Sequence, residues 1–445
     1  MQLVFAAPAM ADADRITPNP GDPPPFGCVD QTPDPSTNAI TICTNDNKGQ
    51  TASDAVIVDE LTRLVNRANG PEDTLRISMF QWWYKKENTT PPFDHSHLKA
   101  LTDAIINAHR NGVDVKILID NISDPGFNQD LDQVRNPDGT FLDQPFKELT
   151  TALGSDVQVC HQDGNKLKNT MGGPYASDCL DGGGEYVPKA INHNKFFLLK
   201  LDGIKHVVVT SANMVPDVQR AYNNLIHVRW DARLYDYMLG YWDRISANDW
   251  IGWGSPRSSC GDSCRRLAFL FPNHLYWDHF LEVLNDVTAC PDSGNRKIWI
   301  SMSGVTEVRL QTNNDALLNR IDTLNFMGCG VKFLVDDHAT DVGDDDTETT
   351  AVGLLISRGA DVVQVASLHH KFLIVDAEVN GVLHENYWTG AMNLSFASAW
   401  RDGESAVHQE DDGTFQAYRS HFTCVWNRNR IGAPNIVGSN NDEPC

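Results

Sequence analysis

The chain has no apolar run approaching the roughly 18 to 20 positions that a membrane-crossing helix needs. With 41% of its 445 residues hydrophobic, it is expected to be soluble and globular, without a transmembrane segment. Positive charge is scarce as well: 36 Lys and Arg stand against 59 Asp and Glu, for a net charge of −23. Binding to nucleic acid draws on cations set against phosphates, usually interleaved with aromatics. No basic run of that kind occurs, so no nucleic-acid partner is expected, although one phosphate held in a locally basic pocket is compatible with the balance. Metal-ligand spacing is lacking too. Cys260-x3-Cys264 has no second Cys/His pair to complete a zinc site. The acidic stretch DVGDDDTE (341–348) does not match an EF-hand loop and reads as a solvated loop. Neither a metal nor a cofactor is expected.

What is present points to export. Residues 1–11 end in Ala9-Met10-Ala11, a small-x-small cleavage pattern behind a short apolar stretch, though without a basic n-region, and read as the remnant of a secretory signal. The ten cysteines fall in near neighbours: Cys28/Cys43, Cys160/Cys179, Cys260/Cys264, Cys290/Cys329 and Cys424/Cys445. An even count in such pairs suits an oxidising compartment, with the connectivity left open. Residues 12–50, rich in Pro, Asp, Thr and Asn, read as an extended lead-in rather than a core element.

Beyond residue 50 the chain writes the same series twice. A strand (75–83), a helix (97–112) and a buried strand (113–120) recur as 296–304, 316–330 and 331–337. The helix end, Gly and short strand of 149–160 then recur as 354–366. Four elements in one order mark an internal duplication, with halves at 51–255 and 265–435. Alternating strands and helices predict two similar α/β domains, each a mostly parallel sheet flanked by helices, sharing one active site at their interface.

Each half then delivers a His-x-Lys segment: INHNKFFLLK (191–200) and LHHKFLIVD (368–376). Alternate residues of a strand share a face, so His193 points with Lys195 and His369 with Lys371. Small-residue turns ending in Asn follow, TSAN (210–213) and TGAMN (389–393), and 11 residues past each Asn stand Asn224 and Glu404. MFQWWYKKE (79–87) sets Trp82 and Trp83 just after a strand that should end near the shared cleft.

Over about residues 55–430 this pattern resembles the phospholipase D superfamily, whose signature is His-x-Lys-x4-Asp followed by a small-residue turn and Asn, present twice. It is most like the secreted microbial phospholipases D. The resemblance implies a metal-free phosphodiesterase acting through a phosphohistidine. Lys195, Lys371, Asn213 and Asn393 would neutralise and hold the phosphate. His193 would be the nucleophile and His369 the general acid/base. Glu404 would orient an imidazole, and Trp82, Trp83, Ser211 and Asn224 would line the substrate site. One departure stands out: the motif Asp is Lys200 in the first half and Asp376 in the second. Seven residues from the His, that position falls on the opposite face of an ideal strand, so its loss should leave the site active, with Asp202 as a possible substitute. The expected substrate is a zwitterionic phospholipid at a membrane or micelle surface, with a phosphodiesterase acting on nucleic acid as the alternative. With both half-sites in one chain, a monomer suffices.

Overall fold

The computed structural model describes residues 28–30, 40–45, 55–82, 96–120, 144–160, 176–177, 191–215, 221–247, 266–270, 278–291, 297–337, 348–395, 398–399, 403–410 and 412–430. Residues 1–11, Trp83 and most of the 341–348 stretch lie outside them.

The first half contributes β1 (Cys28–Asp30), β2 (Ile40–Asn45), β3 (Thr74–Met79), β4 (Asp114–Asp120), β5 (Val157–Cys160), β6 (Ala176–Ser177), β7 (Lys195–Leu201), β8 (Ile204–Thr210) and β9 (Asn223–Arg229). They form one sheet in the order β1-β2-β9-β8-β7-β3-β4-β5-β6. The second half contributes β10 (Arg266–Leu270), β11 (Val287–Ala289), β12 (Ile298–Met302), β13 (Val331–Asp336), β14 (Asp361–Val365), β15 (Lys371–Val379), β16 (Val382–Gly390) and β17 (Ser405–Glu410). These run β10-β17-β16-β15-β12-β13-β14, with β11 paired to β15. The inner strands match one for one between the sheets, as the duplication requires.

Both sheets are mixed rather than mostly parallel. The helical crossovers give parallel ladders at β3/β4/β5 and β12/β13/β14, and β6 pairs parallel to β5. The His-x-Lys strands β7 and β15 instead lie antiparallel to β3 and β12. Each then turns straight back in a hairpin, a two-residue connection that only antiparallel strands permit. The turn residues are Asp202-Gly203 and Asn380-Gly381, all four with positive φ, the backbone that a type I′ hairpin needs and that Asx-Gly pairs supply. Asp202 is therefore an exposed turn residue and does not stand in for the missing motif Asp. Its amide is held instead by the buried Asp73 carboxylate, 2.9 Å away.

Helices α1 (Val56–Val65), α2 (Ser96–Arg110) and α3 (Gln144–Leu153) cover the outer face of the first sheet. Their Ile57, Leu61, Leu101 and Ile105 share a core with Leu75, Ile77 and Leu199. After α4 (Ala232–Ala247) come α5 (His279–Asn285), α6 (Glu307–Phe326) and α7 (Glu348–Ser357), which cover the outer face of the second sheet. A third core joins the halves: Tyr241 and Met238 of α4, Phe415 and Tyr418 of α8 (Asp412–Arg430), and Phe196, Leu198, Phe372 and Ile374 from both sheets. At about 25 cal/mol per Å² of apolar surface removed from water, this shared layer binds the two halves into one body. No helix among the described residues is long and apolar enough to cross a membrane.

The lead-in is less loose than expected. Its Ile40, Ile42 and Cys43 are buried in β2, which pairs along β9. Disulfides Cys28–Cys43 and Cys290–Cys329 are formed, and Cys160 and Cys424 are disulfide-bonded as well.

Candidate active site

Strand register builds the site twice. Met79 pairs with Lys195, and Met302 with Lys371, so each Lys opens its strand at the same point beside the preceding βα strand. The His residues stand just before those strands and are fixed by the opposite half. Asn192 bridges Gly403, whose amide donates to the Ile191 carbonyl at 2.8 Å. Leu368 bridges Tyr222, whose carbonyl accepts from the His369 amide at 2.9 Å.

This crossing hands each imidazole a partner from the other half. His193 Nδ1 lies 2.7 Å from Glu404 Oε1, and both side chains are buried. His369 Nδ1 lies 2.9 Å from the side-chain oxygen of Asn223. Asn223, not Asn224, is thus the counterpart of Glu404. The connection from Asn213 is one residue shorter than that from Asn393, as the ladders show: the Ser211 amide donates to the Asn224 carbonyl where the Ala391 amide donates to that of Ser405. One residue of slip in a strand moves a side chain to the other face.

Asn224, expected to touch substrate, is fully buried and engaged elsewhere. Its oxygen accepts from the Lys371 amide at 3.1 Å, and its nitrogen donates to Thr389 Oγ1 at 2.6 Å. Ser211 is also fully buried, and its hydroxyl donates to Asn223 at 3.0 Å. Trp82 is only 1% exposed and belongs to the first core rather than to a substrate surface.

Lys195 Nζ donates to the His193 carbonyl at 2.8 Å, and Lys371 Nζ sits 3.2 Å from His369 Nε2. Asn213 donates to Gln81 Oε1 at 3.0 Å, while the Asn213 and Asn393 Oδ1 atoms are buried without a partner among the described residues. Phe80, a residue that sequence reasoning passed over, sets its ring edge-on to His193 at 4.6 Å and under the Lys195 ammonium at 5.0 Å.

Burial holds both His193 and His369 well below the ordinary histidine range. Lys195 and Lys371 push each of them further down, so both cations act on both rings. Burial raises Glu404 to about 8, against the pull of Lys195, the Ser398 hydroxyl and Lys371. Nδ1–H donation to Glu404 or to Asn223 leaves each Nε2 lone pair directed away from its partner. Two imidazoles and two ammonium groups, one of each from either half, thus share one electrostatic environment of the kind that stabilises an anion. Lys200 is five residues along β7 from Lys195, about 16 Å at strand rise, and takes no part in this cluster.

Comparison with known proteins finds a sequence match in the second half and likenesses of fold over more of the chain. Residues 292–426, which include His369, Lys371, Asn393 and Glu404, match the family model described as "Cardiolipin synthase, PLD-like domain". Phosphatidylserine synthase from Haemophilus influenzae has a similar structure, at 13% identity and a TM-score of 0.50, over 84% of this chain and 85% of that one. Polyphosphate kinase from Porphyromonas gingivalis aligns at 9% identity and a TM-score of 0.49 over 87% of this chain, which spans only 50% of that protein. Nuc from Salmonella typhimurium, a phospholipase D family member, aligns at 16% identity and a TM-score of 0.28 over 37% of this chain and 97% of its own. No curated protein matches the chain in sequence.

Proposed function

We propose that the protein is a secreted phospholipase D, hydrolysing the distal phosphodiester bond of glycerophospholipids and able to pass the phosphatidyl group to an alcohol. The observation that carries this reading is the crossed pairing of two His-x-Lys segments, with His193 held by Glu404 at 2.7 Å across the two halves.

In the reaction, Lys195, Lys371, Asn213 and Asn393 receive the non-bridging oxygens. His193 Nε2, its Nδ1–H donated to Glu404, attacks phosphorus to form a phosphohistidine. His369 protonates the departing head-group oxygen, then takes a proton from the water or alcohol that displaces the imidazole. His369 must hold a proton for the first step although burial, and after it two ammonium groups, hold its pKa down. An anionic phosphodiester between those cations offsets them and restores the imidazolium. Three further points support the lipid reading: a net charge of −23, the lipid-enzyme name of the family model, and the phosphatidylserine synthase likeness in fold. The disulfides support export.

The test is head-group release from phosphatidylcholine vesicles by EDTA-treated protein, alongside a His369→Ala variant. Release that persists in EDTA and falls by on the order of 10²- to 10⁴-fold in the variant is expected. Absence of release from any phospholipid, with cleavage of single-stranded DNA, would replace this reading by the nucleic-acid one.

A further inference from the structure

The duplication allows the two sides of the site to be compared position by position. Met79 and Met302 are equivalent through their pairing with Lys195 and Lys371. Trp82 and Val305 are equivalent through their parallel bridges to Met214 and Leu394. Phe80-Gln81 of the first half therefore corresponds to Ser303-Gly304 of the second.

The pairs differ sharply in bulk. On the first side, the Phe80 ring lies against His193, and the Gln81 amide lies against Asn213. Beneath them His193 is 7% exposed and Asn213 6%. On the second side, Ser303 brings no ring and Gly304 no side chain. A Cβ at Gly304 would stand 3.4 Å from Asn393 Cγ, so the glycine borders Asn393 where Gln81 covers Asn213. His369 and Asn393 are somewhat more exposed than their counterparts, while Ser303 and Gly304 themselves are buried.

We infer that this second side, over Ser303 and Gly304, is the passage through which the leaving alcohol departs and the acceptor arrives, and that Gly304 sets the bulk it admits. The inference rests on the phosphodiester-transfer reading above. In-line displacement puts the leaving oxygen opposite the attacking nitrogen, hence on the His369 side. His193 Nε2 bonds to phosphorus as the P–O bond to the head group breaks, and that oxygen takes the His369 proton. The acceptor hydroxyl then returns its proton to His369 as its oxygen bonds phosphorus and the N–P bond breaks. Both alcohols use the same side by microscopic reversibility. Phe80 and Gln81 seal the other side, where an intruding water would have no base to meet.

The experiment offers two head groups of equal charge and unequal size in one tube: phosphatidylmethanol and phosphatidylglycerol in zwitterionic mixed micelles. The readout is the ratio of their initial cleavage rates. Because the ratio is internal, the folded fraction of a variant does not affect it. Gly304→Gln, which copies the first side, should lower the glycerol-to-methanol ratio by about tenfold, the scale on which pockets discriminate by size. Gly304→Ala should lower it less, and it serves the same purpose if the larger substitution fails to fold. Phe80→Ala should leave the ratio at the wild-type value whatever it does to the rate. An unchanged ratio in the Gly304 variants, or an equal shift in Phe80→Ala, would overturn the passage while leaving the transfer reading intact. Wild-type protein that cleaves neither lipid would overturn both.

Discussion

His193 and Glu404 lie 211 positions apart in the chain and 2.7 Å apart in the fold, and that contact has a measurable pH signature. Glu404 is raised by burial from an ordinary value of 4.5 to about 8, so the folded state keeps a proton that the unfolded chain has released. Its contribution to stability is full below pH 4.5 and declines as pH rises toward 8. Glu404→Gln should therefore flatten the fall in Tm across that window, seen in thermal melts at half-unit pH steps. It should also cost activity, on the order of 10²-fold or more, since an amide, unlike the carboxyl, cannot ionise to balance the charge the ring gains on bonding phosphorus. A variant whose melting profile tracks the wild type at every pH would place the titration elsewhere. At this scale the sequence was legible where residue type decides: His193 meets Glu404, and Lys371 lies beside His369. It was not legible where position within a strand decides. Asn223 and Asn224 are the same residue type in adjacent positions, and only the ladder shows that the first meets His369 while the second supports the Lys371 backbone.

Among the elements, β7 carries the departure from the doubled motif. Lys200 is only partly buried and pairs with Thr74 and Lys205 at the strand end remote from Lys195. Asp376, its counterpart on β15, is 3% exposed, and its amide donates to the Lys297 carbonyl at 3.1 Å. Lys200→Asp should leave kcat/KM within about twofold of wild type, because charges separated by more than a Debye length of about 10 Å are largely screened. A change of tenfold or more in turnover would tie that strand end to the site. Element types and order followed from apolar periodicity, since strand 113–120 and helix 97–112 are found as β4 and α2 within two residues. The direction of β7 and β15 did not, because buried parallel and antiparallel strands share the same apolar run. The informative signals were the Asp202-Gly203 and Asn380-Gly381 pairs, which impose hairpins and hence antiparallel neighbours.

For the molecule as a whole, charge is the dominant quantity. At −23 it is repelled by anionic surfaces, and the repulsion reaches about 30 Å at 0.01 M salt but only about 10 Å at 0.1 M. Initial rates on phosphatidylcholine vesicles should exceed those on phosphatidylglycerol vesicles at low salt, and the gap should narrow as salt is added. A preference for the anionic vesicles at low salt would contradict a repulsive docking surface. The duplication itself was readable from the repeated series, whereas the layer of α4 and α8 between the sheets was not: contacts between distant segments leave no local period. The reciprocal exchange of partners between the two halves has a further consequence. Neither copy can drift, be trimmed or be inherited separately, because a change in the tail of one appears as a defect in the reactive group of the other. A gene cut between them should give two silent products, and activity should return only when both are made in the same cell and fold together.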